Sequence, residues 1–329
     1  MKRLAVIGGG AWGTALALAA RRAGSQPTIW ARDPDVVAAI NRQHENPAFL
    51  PRIRLDQAIA ATADLGAATA GADMVLLAVP AQFLGAVLAA LAPLLPAATP
   101  LLLCAKGIET ATLRTMSEVA TETVPNAPLG VLSGPSFAAE VARDLPTAVT
   151  IASTDAEAGP AFVAALGGGR FRPYLSQDPV GAEIGGAVKN VLAIACGIVT
   201  GRGLGDNARA ALITRGLAEM IRLGVAKGAR PETFAGLSGL GDLVLTCNAA
   251  QSRNFALGTA LGEGGRLDEL LSGRRSVVEG VATAAAVTRL AARLGIEMPI
   301  SAAVDAVLHH GAGIDAMIER LLTRPLRRE

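Results

Sequence analysis

Lys189 is the only charged residue between Glu183 and Arg202, in a run otherwise built of apolar and small residues. An ammonium group inside such a run is costly to desolvate unless something compensates it. Burial also lowers a lysine's pKa, because the charged form loses more than the neutral one. A lysine tuned that way exchanges protons near neutral pH, as a general acid or base must. The plainer alternative is a lysine that snorkels to the surface.

A second set of residues suits phosphate. Gly8-Gly9-Gly10-Ala11-Trp12-Gly13 has the spacing G-x-G-x-x-G, after an apolar strand and ahead of a helical pattern. The first glycine allows a tight turn, and the second lets backbone approach a pyrophosphate. The third lets helix and strand pack closely, while the helix N-terminus faces the phosphates. A glycine-rich turn without a ligand is the competing reading. At the end of the next strand, an acidic residue would bind a ribose 2′-hydroxyl, whereas arginine suits a 2′-phosphate. The chain reads Thr28-Ile29-Trp30-Ala31-Arg32-Asp33 there. Arg32 therefore points to NADPH, with NADH as the alternative, and Asp33 ahead of Pro34 reads as a helix N-cap.

Two more motifs fall where doubly wound sheets bind ligands, outside the carboxyl ends of strands. Lys106-Gly107 follows Leu101–Ala105, and Ser133-Gly134-Pro135-Ser136 follows Leu129–Leu132, with a helix expected from Phe137. Lys106 can hold an anion or polarise an oxygen. Ser136 stands at a helix start whose amides can do the same. A solvated lysine and an ordinary cap account for the two equally well. Further on, Gly236 to Asp242 is a glycine-rich polar break, followed by Ser252-Arg253-Asn254. An arginine flanked by hydroxyl and amide donors suits the fork geometry of a phosphate, and a capping loop with a surface arginine is the alternative. The spacing of Val277-Val278-Glu279-Gly280 assigns it no role.

The elements that must position these groups alternate in the first half. Short apolar strands are expected at Arg3–Ile7, Pro27–Ala31, Met74–Val79, Leu101–Ala105 and Leu129–Leu132. Thr147–Ala152 and Arg170–Leu175 extend the set. Helices are expected at Ala11–Ala23, closed by Gly24, at Pro34–Asn41 and at Gln82–Leu91. Such alternation implies a parallel sheet with helices on both faces. From about Asp178 strand signals vanish and helical patterns follow, the first of them carrying Lys189. The expected fold class is α/β: an N-terminal Rossmann-like doubly wound sheet in residues 1–178, plus a C-terminal all-α domain in residues 179–329.

Composition narrows the function. Lys+Arg 30 against Asp+Glu 28 gives no reason to expect nucleic acid, and 3% aromatics offers no stacking platform. The basic run from Arg320 to Arg328 reads as a solvated helix end. Cys104, Cys196 and Cys247 are too scattered for a disulfide framework or a zinc site, which suits a reducing cytoplasm without a metal. None of the three histidines accompanies a motif. Met1-Lys2-Arg3 and the apolar stretch to Ala20 superficially resemble a signal peptide, but the glycine spacing fits a different purpose. The run around Lys189 approaches membrane-spanning length, yet its lysine, asparagine and glycines favour a buried helix and no stable membrane insertion.

Taken in order, these motifs resemble the NAD(P)-dependent sn-glycerol-3-phosphate dehydrogenase family over nearly the whole chain. The resemblance rests on Gly8–Gly13, Lys106-Gly107, Ser133–Ser136, Gly185–Asn190, Asn207-Ala208-Arg209, Gly239–Asp242 and Gln251–Asn254. Val277–Gly280 and Met298-Pro299-Ile300 add to it. It implies reduction of dihydroxyacetone phosphate to sn-glycerol 3-phosphate, supplying glycerophospholipid synthesis, by a cytoplasmic homodimer. It gives Lys189 the catalytic role, and substrate roles to Lys106, Gly134, Ser136, Asp242, Ser252, Arg253 and Asn254. Gly8, Gly10, Ala11, Trp12, Gly13, Arg32, Ala138, Val277 and Glu279 line the cofactor, with Lys106 and Arg253 touching both ligands. Lys106, Asn190 and Asp242 are the neighbours expected to tune Lys189. Gly9 stands where the family commonly has alanine, an exchange expected to be harmless. Related β-hydroxyacid and 6-phosphogluconate dehydrogenases space their lysine and asparagine further apart, and a nucleotide sensor without turnover needs no such lysine.

Arg32 yields a direct test. Arg32→Ala lowers the NADPH-to-NADH turnover ratio by about tenfold, the scale of one charge-assisted contact. Steady-state rates with both cofactors measure it, and an unchanged ratio removes Arg32 from this role.

Overall fold

The computed structural model describes residues 1–96, 98–273 and 277–325. Two compact units divide the chain, Met1–Lys106 with Arg114–Glu183, and Gly107–Leu113 with Ile184–Glu329. The change of unit falls inside one helix, Pro179–Gly201.

Among its described residues the first unit contains ten strands: β1 Arg3–Ile7, β2 Gln26–Trp30, β3 Glu45–Asn46, β4 Leu50–Arg54, β5 Ala60–Thr62, β6 Met74–Leu77, β7 Leu101–Leu103, β8 Leu129–Ser133, β9 Thr147–Ala152 and β10 Phe171–Ser176. Eight form one sheet in the order β10-β9-β8-β7-β6-β1-β2-β5. Leu4 and Val6 of β1 enter one apolar core while Ala5 and Ile7 enter another. Both faces of the strand are covered, which is why it reads as a continuous apolar run. The chain winds outward from β1 through β2 to β5, then returns to β6 on the other side of β1. The topological switch therefore lies beside β1, whose carboxyl end carries Gly8–Gly13.

The expected helix after that loop runs Ala11–Arg22. Gly24 closes it with φ +83, and Ser25 N and Gly24 N donate back to Ala20 O and Arg21 O at 2.9 and 3.0 Å. Asp33 caps Pro34–Gln43 by accepting from Asp35 N. The apolar part of the stretch that resembles a signal peptide, Leu4 to Ala20, thus lies largely in a buried strand and helix.

The structure departs from the sequence reading at three points. The sheet is not wholly parallel, because β9 runs antiparallel to β8. The chain between them holds only the five-residue helix Ala138–Ala142, too little for a crossover returning to the same end. Phe137 is the N-cap of that helix and no side chain caps it, so Ser136 is not its cap; the Ser136 hydroxyl donates to Gly134 O at 2.9 Å. The small hairpin β3–β4 was not apparent in the sequence, being two residues paired with a bulged strand.

The second unit is helical, and among the described residues no strand follows Ser176. Helix Pro179–Gly201 is apolar enough to cross a membrane by length and composition, but 89% of its apolar window is buried. Gly197 and Gly201 face Gly258 and Gly262 of helix Arg253–Gly262, and a Cβ on any of the four would strike backbone of the other helix. Glu219 accepts from Ile300 N, Ser301 N and the Ser301 hydroxyl, capping helix Pro299–His309. The basic run begun at Arg320 leaves helix Ile314–Leu322, and residues 326–328 of it lie outside the described residues.

Glu183, buried, accepts from Ser117 N at 2.7 Å and from the Ser117 hydroxyl at 2.5 Å. Burial pushes its carboxyl up to about 7 from 4.5, against the pull of the Ser117 and Thr115 hydrogen bonds. A raised acid binds its proton more tightly folded than unfolded. Its stabilising contribution is therefore complete below pH 4.5 and is lost as pH rises through about 7. The loss is on the order of 3 kcal/mol. Urea unfolding of Glu183→Gln between pH 4.5 and 8 should show a shallower fall in stability than wild type. An identical slope would exclude Glu183 as the source.

Candidate active site

In the first unit, the glycines of the loop have different physical reasons. Gly8 has φ +132, and a Cβ there would meet Ala78 O at 2.7 Å. At Gly13 a Cβ would collide with Gly8 O, so this glycine allows helix and strand to touch. Gly10 differs: its φ −76 and ψ −179 suit any residue, and a Cβ would meet no protein atom within 4 Å. Its small size is demanded by nothing in the protein itself, which fits backbone kept accessible to a dinucleotide's phosphates. At Gly9 an alanine would place its Cβ 2.5 Å from Ala31 Cβ. Glycine therefore fits this chain where alanine would crowd, because the two small residues share one space.

Trp12 and Ala138 are partly buried against the same core, and Trp12 Nε1 is buried without a hydrogen-bond partner. Ala11, beside Trp12, opens the first helix, and Arg32 is exposed just past β2. Lys106 Nζ donates to Gly134 O at 2.9 Å, and Gly134 adopts φ +128. Lys106, Gly134 and Ser136 thus cluster on one carbonyl, beyond the carboxyl ends of the adjacent strands β7 and β8.

The second unit gathers the remaining motifs. Lys189 is buried, and its Nζ donates to Asp242 Oδ1 at 2.6 Å and to Thr246 Oγ1 at 2.9 Å. Thr246 in turn donates to Asp242 O at 2.6 Å. Asp242 opens helix Asp242–Asn248 directly after a π-helical turn, Leu237–Gly241. That turn can lie on the Lys189 helix because Gly185 has no side chain; a Cβ there would collide with Ser238 O. Gly185 to Lys189 and Ser238 to Asp242 are both four residues, so the backbone contact and the ion pair lie one turn apart on each element.

Ser252 accepts from Phe255 N at 3.2 Å and caps helix Arg253–Gly262. Asn254 Nδ2 donates to Asn190 Oδ1 at 2.8 Å, Gly280 N donates to Asn254 Oδ1 at 2.9 Å, and Asn190 Nδ2 donates to Gly186 O at 3.2 Å. These bonds engage the Asn190 amide in a relay with Asn254. Arg253 is exposed, and its Nη1 donates to Val277 O at 2.7 Å, beside Glu279 at the start of helix Glu279–Leu294. Arg209, from the unassigned Asn207-Ala208-Arg209 motif, ties Asp206, Thr200 and Asn248 together.

Sequence reading missed Thr246, though its spacing of four from Asp242 on a helix was a usable signal. It also missed Gly280, whose close contacts with Asn254 Oδ1 and Asn190 O explain its lack of a side chain. The cysteines are buried and free. A hydrogen bond with Cys196 and burial hold the Cys247 thiol well above its usual range, and burial raises that of Cys104. They are packing groups rather than nucleophiles. Among the described residues no cluster of His, Cys, Asp or Glu could hold a metal ion.

Two family models match the chain: the NAD-dependent glycerol-3-phosphate dehydrogenase N-terminus over residues 3–159, and its C-terminus over residues 178–319. A glycerol-3-phosphate dehydrogenase [NAD(P)+] of Rhodospirillum rubrum is 61% identical over 99% of this chain and 93% of its own. That of Caulobacter vibrioides is 56% identical over 100% and 99%. The crystal structure of the Coxiella burnetii glycerol-3-phosphate dehydrogenase superposes with a TM-score of 0.95 at 40% identity, covering 98% of this chain and 99% of that one.

The ion pair makes a stability prediction. Asp242→Ala leaves a buried ammonium uncompensated and costs about 3–5 kcal/mol in urea unfolding. Adding Lys189→Met to Asp242→Ala restores most of that loss. A double variant no more stable than Asp242→Ala would show that charge compensation is not what Asp242 supplies.

Proposed function

The chain belongs to the NAD-dependent glycerol-3-phosphate dehydrogenase family, and on that premise we propose that Lys189 is the acid–base group of the reaction. The reaction is the reversible, NAD(P)-dependent reduction of dihydroxyacetone phosphate to sn-glycerol 3-phosphate. The observation that carries the proposal is the buried Lys189 ammonium held by Asp242 and Thr246 at 2.6 and 2.9 Å.

When bound, the nicotinamide supplies or accepts hydride at substrate C2. The C2 oxygen gains negative charge during reduction, and Lys189 donates a proton to it; in oxidation the neutral amine removes the hydroxyl proton. Asp242 and Thr246 fix the direction of the Lys189 side chain, so little reorganisation accompanies transfer. Arg253, with the capped N-terminus of its helix and the Asn254 amide, binds the substrate phosphate. Binding energy from that remote group positions the carbonyl. Lys106, Gly134 and Ser136 complete the substrate contacts. Gly8, Gly10, Ala11, Trp12, Gly13, Arg32, Ala138, Val277 and Glu279 hold the cofactor. Arg32 favours NADPH.

The domain assignment is a dinucleotide-binding domain in residues 1–178 and a substrate-binding domain in residues 179–329. The protein works as a cytoplasmic homodimer supplying glycerophospholipid synthesis; its buried free cysteines and the burial of its most apolar helix agree with a cytoplasmic setting.

NADPH oxidation with dihydroxyacetone phosphate tests the roles. Lys189→Ala loses about 10²–10⁴-fold in kcat while retaining NADPH binding. Arg253→Ala raises KM for dihydroxyacetone phosphate by roughly one to two orders of magnitude and leaves turnover of unphosphorylated dihydroxyacetone unchanged. Retained turnover in the first, or equal losses on both substrates in the second, would sink the assignment.

A further inference from the structure

We infer that Asn46, on the small hairpin, is a positioning residue that aims the phosphate-binding amides of the glycine loop. The inference rests on the reading of Gly8–Gly13 as the cofactor loop.

Asn46 is fully buried. Its Nδ2 donates to Gly9 O at 2.9 Å and to Thr14 Oγ1 at 2.9 Å, and the Thr14 hydroxyl donates to Gly10 O at 2.9 Å. Two consecutive loop carbonyls are thereby held from the protein side. In a trans peptide the C=O and the following N–H point in opposite directions. Holding Gly9 O inward turns Gly10 N–H outward, and holding Gly10 O inward does the same for Ala11 N–H. The outward side is the one on which a Cβ at Gly10 meets no protein atom within 4 Å. Outward amides at a helix N-terminus are what an anionic diphosphate requires.

Two features argue against a role in folding alone. The Asn46 Oδ1 is buried without a hydrogen-bond partner, an unfavourable state that an apolar side chain of similar size would avoid. The chain also adopts a left-handed conformation at a non-glycine residue, His44 with φ 53, to turn from helix Pro34–Gln43 into the hairpin. Leu55 N donating to His44 O at 2.8 Å closes that turn.

Fluorescence titration with NADPH, and calorimetric titration with adenosine 2′-monophosphate, which lacks the diphosphate, test the inference on the full-length protein. Asn46→Leu raises the NADPH dissociation constant about tenfold, the scale of the lost hydrogen bonds. Its adenosine 2′-monophosphate affinity and its KM for dihydroxyacetone phosphate at saturating NADPH stay within about twofold, which is below one hydrogen bond. Where Asn46→Leu fails to fold, Thr14→Val removes the hydroxyl link in a nearly isosteric change, and the same split is expected at smaller amplitude. Equal weakening of both nucleotides, or unchanged NADPH binding, overturns the inference. Gly10→Val separates it from its premise. If that variant still binds NADPH normally, the loop is not the diphosphate site and both readings fall. If it blocks NADPH while the Asn46 and Thr14 variants do not, only the role of Asn46 falls.

Discussion

An ammonium group buried in an apolar helix must be met by an opposite charge at close range, or it costs more than the surrounding packing returns. Much of the second unit is arranged around that demand at Lys189. Asp242 supplies the charge and Thr246 a further acceptor. For the carboxylate to arrive, the π-helical turn before it must lie directly against the Lys189 helix, and Gly185 is the position that permits this. Short π-helical turns of this kind are frequent at functional sites. The same helix approaches helix Arg253–Gly262 along Gly197, Gly201, Gly258 and Gly262. With no side chains between the two backbones, the position of Arg253 and Asn254 is fixed relative to Lys189 within a rigid contact.

Polar groups elsewhere show the same economy. Glu219 and Glu183 are buried carboxylates raised by burial, and each accepts from backbone amides at the start of another helix. They satisfy amides that a helix N-terminus leaves unpaired. The relay from Gly280 through Asn254 and Asn190 to Gly186 works likewise, because it fixes which face of each amide donates. Orientation of that kind matters where an anion is to be bound, since an amide turned the other way presents oxygen to oxygen.

The alternation of short apolar strands with helices, the glycine loop, the capping aspartate and the all-helical second half were all legible from the residues. Those features are local: period, spacing and cap chemistry sit within a few residues of one another. Lys189 stood out for a similar reason, as a charge with no local compensation. Asp242, 53 residues away, was expected beside it only through the family resemblance, and Thr246, 57 residues away, was not expected at all. Distance along the chain also hid the antiparallel β9, the hairpin that delivers Asn46 and the use of Gly9 against Ala31.

By itself the sequence determined the fold class, the dinucleotide loop and the identity of an energetically anomalous lysine, since each depends on near neighbours in the chain. Tertiary structure alone decided that Thr246 joins Asp242 on that lysine, and which glycines are small for the protein's own packing. It also decided which amides hold the loop. Those facts depend on which atoms meet across long sequence separations, and close packing of the folded chain, not the order of residues, sets those distances.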